Sequence, residues 1–338
     1  MSDTNIKAIA KIAGVSYSTV SRVLNNKTYV NEDTRKKVLE VINDVGYKPN
    51  YFAQSLKNGS SKTIGLIIPS IRNGIFGPVC EGVSDYAREC GYTVILCNTN
   101  EDIKCENEFI EKMKERFVDG FIIASSRGKK QNIEKLIEEK VPLALITRYR
   151  KEDIGKTDIV CIDNYKGTYD GTKYLINHGC KSIAFAAGDN GLFFYEERLR
   201  GYKDALNSVG IKVNEDLIMS RNDESNDFYQ LTKDLLKRNK VDAFFAASDP
   251  KAITILRALH DMNIKVPEEI SLLGFDDIEI CSMLNPTLST VAQPLYEFGR
   301  RAAKSVIKQI EYKNENGELP KPRQHIMEHK LVIRQSTK

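Results

Sequence analysis

From residue 62 to residue 275 the chain repeats one device, a short and almost uninterrupted apolar run followed by a stretch with helical spacing. The runs are TIGLIIP (63–69), YTVILCN (92–98), DGFIIAS (119–125), PLALIT (142–147), DIVCID (158–163), SIAFAAG (182–188), DLIMS (216–220), DAFFAAS (242–248) and ISLLGF (270–275). A strand that is apolar throughout has to be covered on both faces, and the intervening helices are the only elements available to cover it. The pattern therefore predicts parallel, doubly wound sheets. The runs fall into two sets, before and after about residue 164, so two such subdomains are expected side by side. An apolar fraction of 41% over 338 residues supports cores of that size and excludes disordered and disulfide-framework classes.

The first 62 residues differ. They hold ten Lys/Arg against five Asp/Glu, whereas the rest of the chain balances 40 against 41. A small basic module on a near-neutral body is a common footprint of nucleic-acid binding. NIKAIAKIA (5–13) places Ile6, Ile9, Ala10 and Ala13 at helical spacing behind Asn5 as a cap, and Gly14 supplies the turn. Ser16 caps a second helix, YSTVSRVLNN, with Val20, Val23 and Leu24 on its inner stripe. NEDTRKKVLEVIND (31–44) makes a third, capped by Asn31 and ended by Gly46. Two short helices about a glycine turn form a helix-turn-helix. Next come Pro49 and Asn50, a good cap, then YFAQSLKNG and Gly59-Ser60-Ser61. A helix over about 51–57 is too short to stand alone in water, since isolated helices need about 12–15 residues. It is expected to order only against a partner or DNA.

From Ile6 to Asn50, through GVSYSTVSRVLNN and VGYKPN, the chain resembles the DNA-binding headpiece of the LacI/GalR family of transcriptional regulators. LLGFDD (272–277), PTLSTVAQP (286–294) and KLVIRQST (330–337) extend the resemblance to a core of periplasmic-binding-protein type. It implies a headpiece over 1–48, a hinge over 49–61 and an effector-binding, dimerising core over 62–338. Three crossings would divide the core into about 62–161 with 293–322, and about 162–292 with 323–338. The resemblance also implies that Tyr17, Ser18 and Arg22 read base edges in the major groove, and that Ser16, Thr19, Ser21, Asn25 and Tyr47, with Tyr29, contact the backbone. In the hinge, Leu56 would wedge between base steps in the minor groove, flanked by Ala53 and Gln54 and preceded by Asn50. The partners implied are a pseudopalindromic operator in double-stranded DNA, a second copy of the chain, and a sugar-like effector. The chain stops at Lys338 without a leucine-heptad tail, which predicts a dimer rather than a tetramer.

Effector contacts carry over to the mouth of the core. Arg198 in EERLRGY matches a guanidinium that clamps ligand hydroxyls or carboxylate. Asp276, first acid of GFDD, can accept from two neighbouring hydroxyls. Ser248 stands where relatives often have Asn, while Asp249-Pro250 reads as a helix start. Asn73 and Phe76 match the loop after the first strand, with Phe76 as an apolar face, and one of Phe193 and Phe194 is expected to line the cleft. Two departures shift the pocket: Thr147-Arg148 replaces a frequent Asp-Arg, and Asp223 replaces an aromatic.

No phosphate-binding glycine motif and no nucleophile elbow occurs, so the chain is expected to be no enzyme and to need no cofactor. His325 and His329 in HIMEHKLVIR would share one strand face without a third ligand, so no metal is expected. The seven cysteines lack a C-x-x-C pair and read as reduced thiols. With no apolar run near 18 residues and no signal-peptide core, a cytoplasmic protein without a membrane segment is expected. Three other readings stand beside the sugar-controlled repressor: control by a phosphorylated protein co-repressor, control by a purine or nucleoside, and an α/β enzyme carrying a DNA-binding module.

Overall fold

The computed structural model describes residues 5–24, 29–47, 60–115, 118–124, 131–188, 191–220 and 227–338. The chain divides into two units, Met1–Ser61 and Lys62–Lys338.

In the first unit, α1 (Ile6–Ala13), α2 (Tyr17–Leu24) and α3 (Glu32–Asp44) surround a small core. Each start is capped by a side-chain oxygen. Asn5 accepts from the Ala8 N–H at 3.0 Å, Ser16 from the Thr19 N–H at 3.1 Å and Asn31 from the Asp33 N–H at 2.9 Å. Gly14 turns the chain with φ 65°, a left-handed conformation that costs glycine little. Eight-residue helices are marginal alone. These hold because Ile9, Ala13, Val20, Val23 and Val38 bury their side chains against one another. The expected hinge helix, with Asn50, Ala53, Gln54 and Leu56, lies outside the described residues, as does Asn25.

The second unit carries two six-stranded sheets. The chain first builds β1 (Thr63–Ile68), α4 (Phe76–Glu89), β2 (Thr93–Asn98), α5 (Ile103–Glu115), β3 (Gly120–Ile123), α6 (Gln131–Glu138), β4 (Leu143–Ile146) and β5 (Asp158–Ile162). It then crosses to α7 (Asn164–Asn177), β6 (Ile183–Ala186), α8 (Phe193–Asn207), β7 (Ile218–Met219), α9 (Phe228–Arg238), β8 (Ala243–Ala246), α10 (Asp249–Asp261), β9 (Ser271–Asp276) and β10 (Ser289–Ala292). α11 (Leu295–Asn316) returns to the first subdomain, where glycine lets two helices touch. A Cβ on Gly82 of α4 would lie 2.0 Å from the Tyr296 carbonyl, and one on Gly299 of α11 would lie 2.1 Å from that of Val79.

The last two strands correct two expectations. β11 (Gln324–Met327) pairs in parallel with β5, giving the order β11-β5-β4-β3-β1-β2. β12 (Lys330–Val332) pairs antiparallel with β10, giving β12-β10-β9-β8-β6-β7. The third crossing therefore falls between Met327 and Lys330, not near residue 323. HIMEHKLVIR is two strands in two sheets, so His325 and His329 do not share a strand face. His329 instead sits in the crossing, its Nε2 3.0 Å from Asp170 Oδ2. One further strand departs from the rule of double coverage. β2 is an edge strand, and Ile95 and Leu96 on it are exposed.

Candidate functional site

The carboxyl ends of both sheets meet around one cavity, lined from the first subdomain by Asn73, Ile75, Thr147, Arg148, Cys161 and Ile162. Asn164, Phe194, Tyr195, Arg198, Ser248, Asp276 and Gln293 complete it. The loop after β1 approaches the second subdomain closely, because a Cβ on Gly74 would lie 3.3 Å from Ile278. The space left is about 40 Å³, enough for a few waters at most, so a sugar-sized ligand needs the walls to part.

Arg198 organises the second-subdomain wall. Its side chain is 4% exposed, and burying an unpaired guanidinium would be prohibitive. Nε donates to Asn164 Oδ1 at 2.8 Å, and one terminal nitrogen donates to the Ala247 carbonyl at 2.6 Å and lies 3.5 Å from Asp276 Oδ1. The guanidinium lies over the Phe275 ring, 3.5 Å from its centroid. Asp276 also accepts from Gln293 Nε2 at 2.6 Å. Register explains this contact: Ala292 of β10 pairs with Asp276 of β9, so the chain leaves β10 beside the carboxylate. Burial pushes the Asp276 carboxyl above the usual range, against the pull of Arg198.

Behind it, Asp249 is fully buried and committed to structure. It accepts from the Ile278 N–H at 3.0 Å and the Thr290 hydroxyl at 2.8 Å, and its pKa is pushed up to about 7 by burial and by the charge of Asp276. Gly274 makes room for it, since a Cβ there would lie 2.2 Å from Asp249 Oδ1. Ser248, not Asp249, holds the cap position of α10. Its Oγ accepts from Lys251 Nζ at 3.0 Å, and the same ammonium donates to Tyr195 Oη at 2.9 Å.

On the facing wall Thr147 has φ 59°, unusual for a β-branched residue, and across the cavity Asp276 has φ 121°. Such conformations cost about 1–3 kcal/mol each and cluster at ligand clamps. The Thr147 hydroxyl oxygen is buried without a hydrogen-bond partner. Arg148 beside it is matched by Glu101, donating to both carboxylate oxygens at 2.9 and 2.8 Å.

The structure thus brings Asn73, Thr147, Phe194, Arg198, Ser248 and Asp276 to one cavity. Phe76 is a correction. It is fully buried in the core beneath α4 with Val79 and Val83, and Ile75 takes the wall position, because one helical residue turns the side chain by about 100°. Phe193 does not line the cavity and packs edge-on to Tyr149 at 5.6 Å. Asp223 lies outside the described residues. Tyr195, Asn164 and Gln293 were missed by sequence reasoning. Gly188 was the available signal for Tyr195, whose ring would lie 2.0 Å from a Cβ there.

In the headpiece, α2 splits into two faces. Val20 and Val23 are buried, whereas Tyr17, Ser18 and Arg22 are exposed. Ser16 Oγ sits 2.7 Å from Ser18 Oγ and 2.8 Å from Thr19 Oγ1, so the start of α2 is a cluster of hydroxyls. Thr19 and Ser21 are partly exposed. Tyr29 is 88% exposed. Tyr47 is half-buried against the headpiece core, where burial and the nearby Tyr17 raise its phenol.

Comparison with known proteins places both units. Residues 5–50 match the family described as bacterial regulatory proteins, lacI family, and residues 172–337 match a periplasmic binding protein-like domain. The HTH-type transcriptional regulator RegA of Clostridium saccharobutylicum is 38% identical over 336 residues, 99% of each chain. The ribose operon repressor of Halalkalibacterium halodurans is 35% identical, over 99% of this chain and 97% of its own. Among solved structures, a complex of the transcriptional regulator CelR with cellobiose superposes with a TM-score of 0.74 at 28% identity, covering 98% of this chain and 99% of its own. The chain belongs to the lacI family of bacterial regulatory proteins and is a DNA-binding transcriptional regulator.

Proposed function

We propose that this regulator is a repressor whose operator affinity is set by a sugar or sugar derivative in the cleft, and that it acts by binding rather than catalysis. The observation that carries the effector reading is the Arg198–Asp276 pair, 4% and 5% exposed at the strand ends, with the unpartnered Thr147 hydroxyl on the same cavity. A donor, an acceptor and an unsatisfied hydroxyl around one space suit a polyhydroxylated ligand. The name of the ribose operon repressor and the cellobiose bound to CelR support the same class.

On DNA, Tyr17, Ser18 and Arg22 read bases, and Ser16, Thr19, Ser21, Asn25, Tyr29 and Tyr47 hold the backbone. The 49–61 hinge inserts Leu56 into the minor groove, with Asn50, Ala53 and Gln54 around it. Two copies bind a pseudopalindrome in the cytoplasm, and the exposed Ile95 and Leu96 on edge strand β2 suit a contact between copies. The test is a thermal-shift panel of sugars, sugar phosphates, nucleosides and purine bases, read beside operator binding by fluorescence anisotropy. A selective sugar shift that is lost in Asp276→Asn and changes operator affinity supports the reading. A shift from a purine base alone overturns the sugar class. Arg22→Ala is expected to abolish operator binding without changing the oligomeric state.

A second reading, control by a phosphorylated protein, is favoured by one surface. A recess of about 240 Å³ along α11 is lined by Arg301, Lys304, Lys308, Lys321 and Arg323, with His325. Burial pushes the His325 imidazole down, and Arg301, Arg323 and Lys308 reinforce this against Asp158. Such a site suits a phosphoryl group on a partner. Operator affinity that ignores the panel but rises with a phosphorylated partner, and loses that rise in Lys304→Glu, would favour this reading.

A further inference from the structure

Among the described residues two cations line the cleft, and both are matched by carboxylates: Arg148 by Glu101, and Arg198 by Asp276. Lys251 stands behind the lining residues Ser248 and Tyr195 and is not so matched. Its Nζ donates to the Tyr195 and Ser248 hydroxyls at 2.9 and 3.0 Å and lies 4.4 and 5.6 Å from the centroids of the Tyr195 and Phe228 rings. Among the described residues it has no ion pair. Asp276 feels its charge but is held by Gln293 and Arg198, and Asp249 is held by the Ile278 N–H and Thr290.

The direction of these bonds matters. An ammonium has only donors, so each oxygen it touches must accept, and the hydroxyl hydrogen is left to point elsewhere. Both hydroxyls belong to residues that line the cavity. With Lys251 as their donor, Ser248 and Tyr195 keep their own O–H hydrogens for another acceptor, which a ligand in the cavity can supply. Burial alone would raise the Tyr195 phenol, but the charges of Lys251 and Arg198 outweigh it and lower it, which strengthens that donor. Ser248 also stands at the N-terminus of the 13-residue α10, whose dipole favours negative charge there. This end of the cleft is lined by two hydroxyls that accept from Lys251 and by the Arg198 guanidinium, and its one lining carboxylate among the described residues, Asp276, is held by Gln293 and Arg198.

We propose that the effector is a hydroxylated molecule bearing an acidic group, and that Lys251, acting through Ser248 and Tyr195, is the residue that selects it. The proposal rests on the cleft being the effector site. Carboxylate and phosphate oxygens share the required chemistry, and the test separates them.

Full-length protein is titrated calorimetrically with matched probes: glucose, glucuronate and glucose 6-phosphate, then ribose and ribose 5-phosphate. At least one acidic member is expected to bind tenfold or more tightly than its neutral parent. That preference is lost in Lys251→Met, which keeps the apolar stem, and retained in Lys251→Arg. Glucuronate as the preferred ligand assigns a sugar acid, and a phosphate ester assigns a sugar phosphate. Neutral parents binding as tightly as their acidic partners overturn the proposal and leave the sugar reading standing, as does a preference unchanged in Lys251→Met. Binding of none of the five, by protein that melts cooperatively and binds DNA, removes both. Melting curves of each variant separate lost selectivity from lost folding.

Discussion

The two walls of the cleft are built differently. The second-subdomain wall is a closed network in which Arg198 meets Asn164, the Ala247 carbonyl, Asp276 and the Phe275 ring. The first-subdomain wall holds a buried Thr147 hydroxyl with no partner and an Arg148 cancelled by a partly exposed Glu101. A network satisfied before the ligand arrives can be rigid, whereas an unsatisfied hydroxyl gains from a ligand or from reopening. On the proposed function, recognition would be preorganised on one side and closure conditional on the other. Asp276 and Thr147, both at positive φ where their strands end, are the strained points at which the two meet.

The largest expected effect tests that asymmetry directly. Asp276→Asn leaves Arg198 buried without its carboxylate, so the core should lose about 3–5 kcal/mol in chemical denaturation. Glu101→Gln leaves the buried Arg148 without its carboxylate, but Glu101 is 33% exposed and water can take its place, so the loss should be smaller, about 1–2 kcal/mol. Equal losses would erase the distinction between the walls. Next, Gly274→Ala forces a methyl group against Asp249 and should cost about 1–3 kcal/mol, with the α10 end of the network loosened in amide hydrogen exchange.

The pH dependence has a definite sign. The folded-state pKa of Asp249 is raised to about 7 by burial and by Asp276, above its unfolded value, so the folded core binds more protons over the interval between them. Stability should therefore fall as pH rises from 5 to 7, by at most about 1.4 kcal/mol per pH unit from this group. Denaturation midpoints in wild type and Asp249→Asn check it, and an identical slope in both would remove Asp249 as the cause. The smallest effect is expected at Thr147→Val. Stability should move by less than about 1 kcal/mol, because the lost hydroxyl had no partner, while ligand affinity drops about tenfold if the closing wall bonds the ligand there. A large loss of stability would mean that the hydroxyl is satisfied in solution.

Much of this molecule was legible early. Each of the nine apolar runs marks one of β1 to β9, with β9 ending one residue beyond its run at Asp276, because a strand buried on both faces writes its burial into consecutive residues; the edge strand β2 is the exception in burial. The headpiece helices were equally plain, since Asn5, Ser16 and Asn31 cap them and their inner faces follow the helical period. Arg198 and Asp276 could be placed at the mouth of the core from the resemblance. HIMEHKLVIR could not be read correctly, because the turn that sends β11 to one sheet and β12 to the other is only two residues long and leaves no mark on periodicity. Phe76 was misplaced because its neighbourhood says loop-to-helix but not which of Ile75 and Phe76 turns inward.

The sequence by itself determined the family, the two kinds of unit, the capped helices and the parallel strands of each sheet, because these depend on residues close in the chain, whereas the antiparallel edge strand β12 came only with the fold. Tertiary structure decided which groups are matched and which are left over. Arg148 finds Glu101 across 47 positions, Asp249 finds Thr290 across 41, and Gln293 finds Asp276 across 17. Whether a buried charge or hydroxyl has a partner is a property of space rather than of spacing, and the Thr147 hydroxyl left over in this way lines the cavity itself.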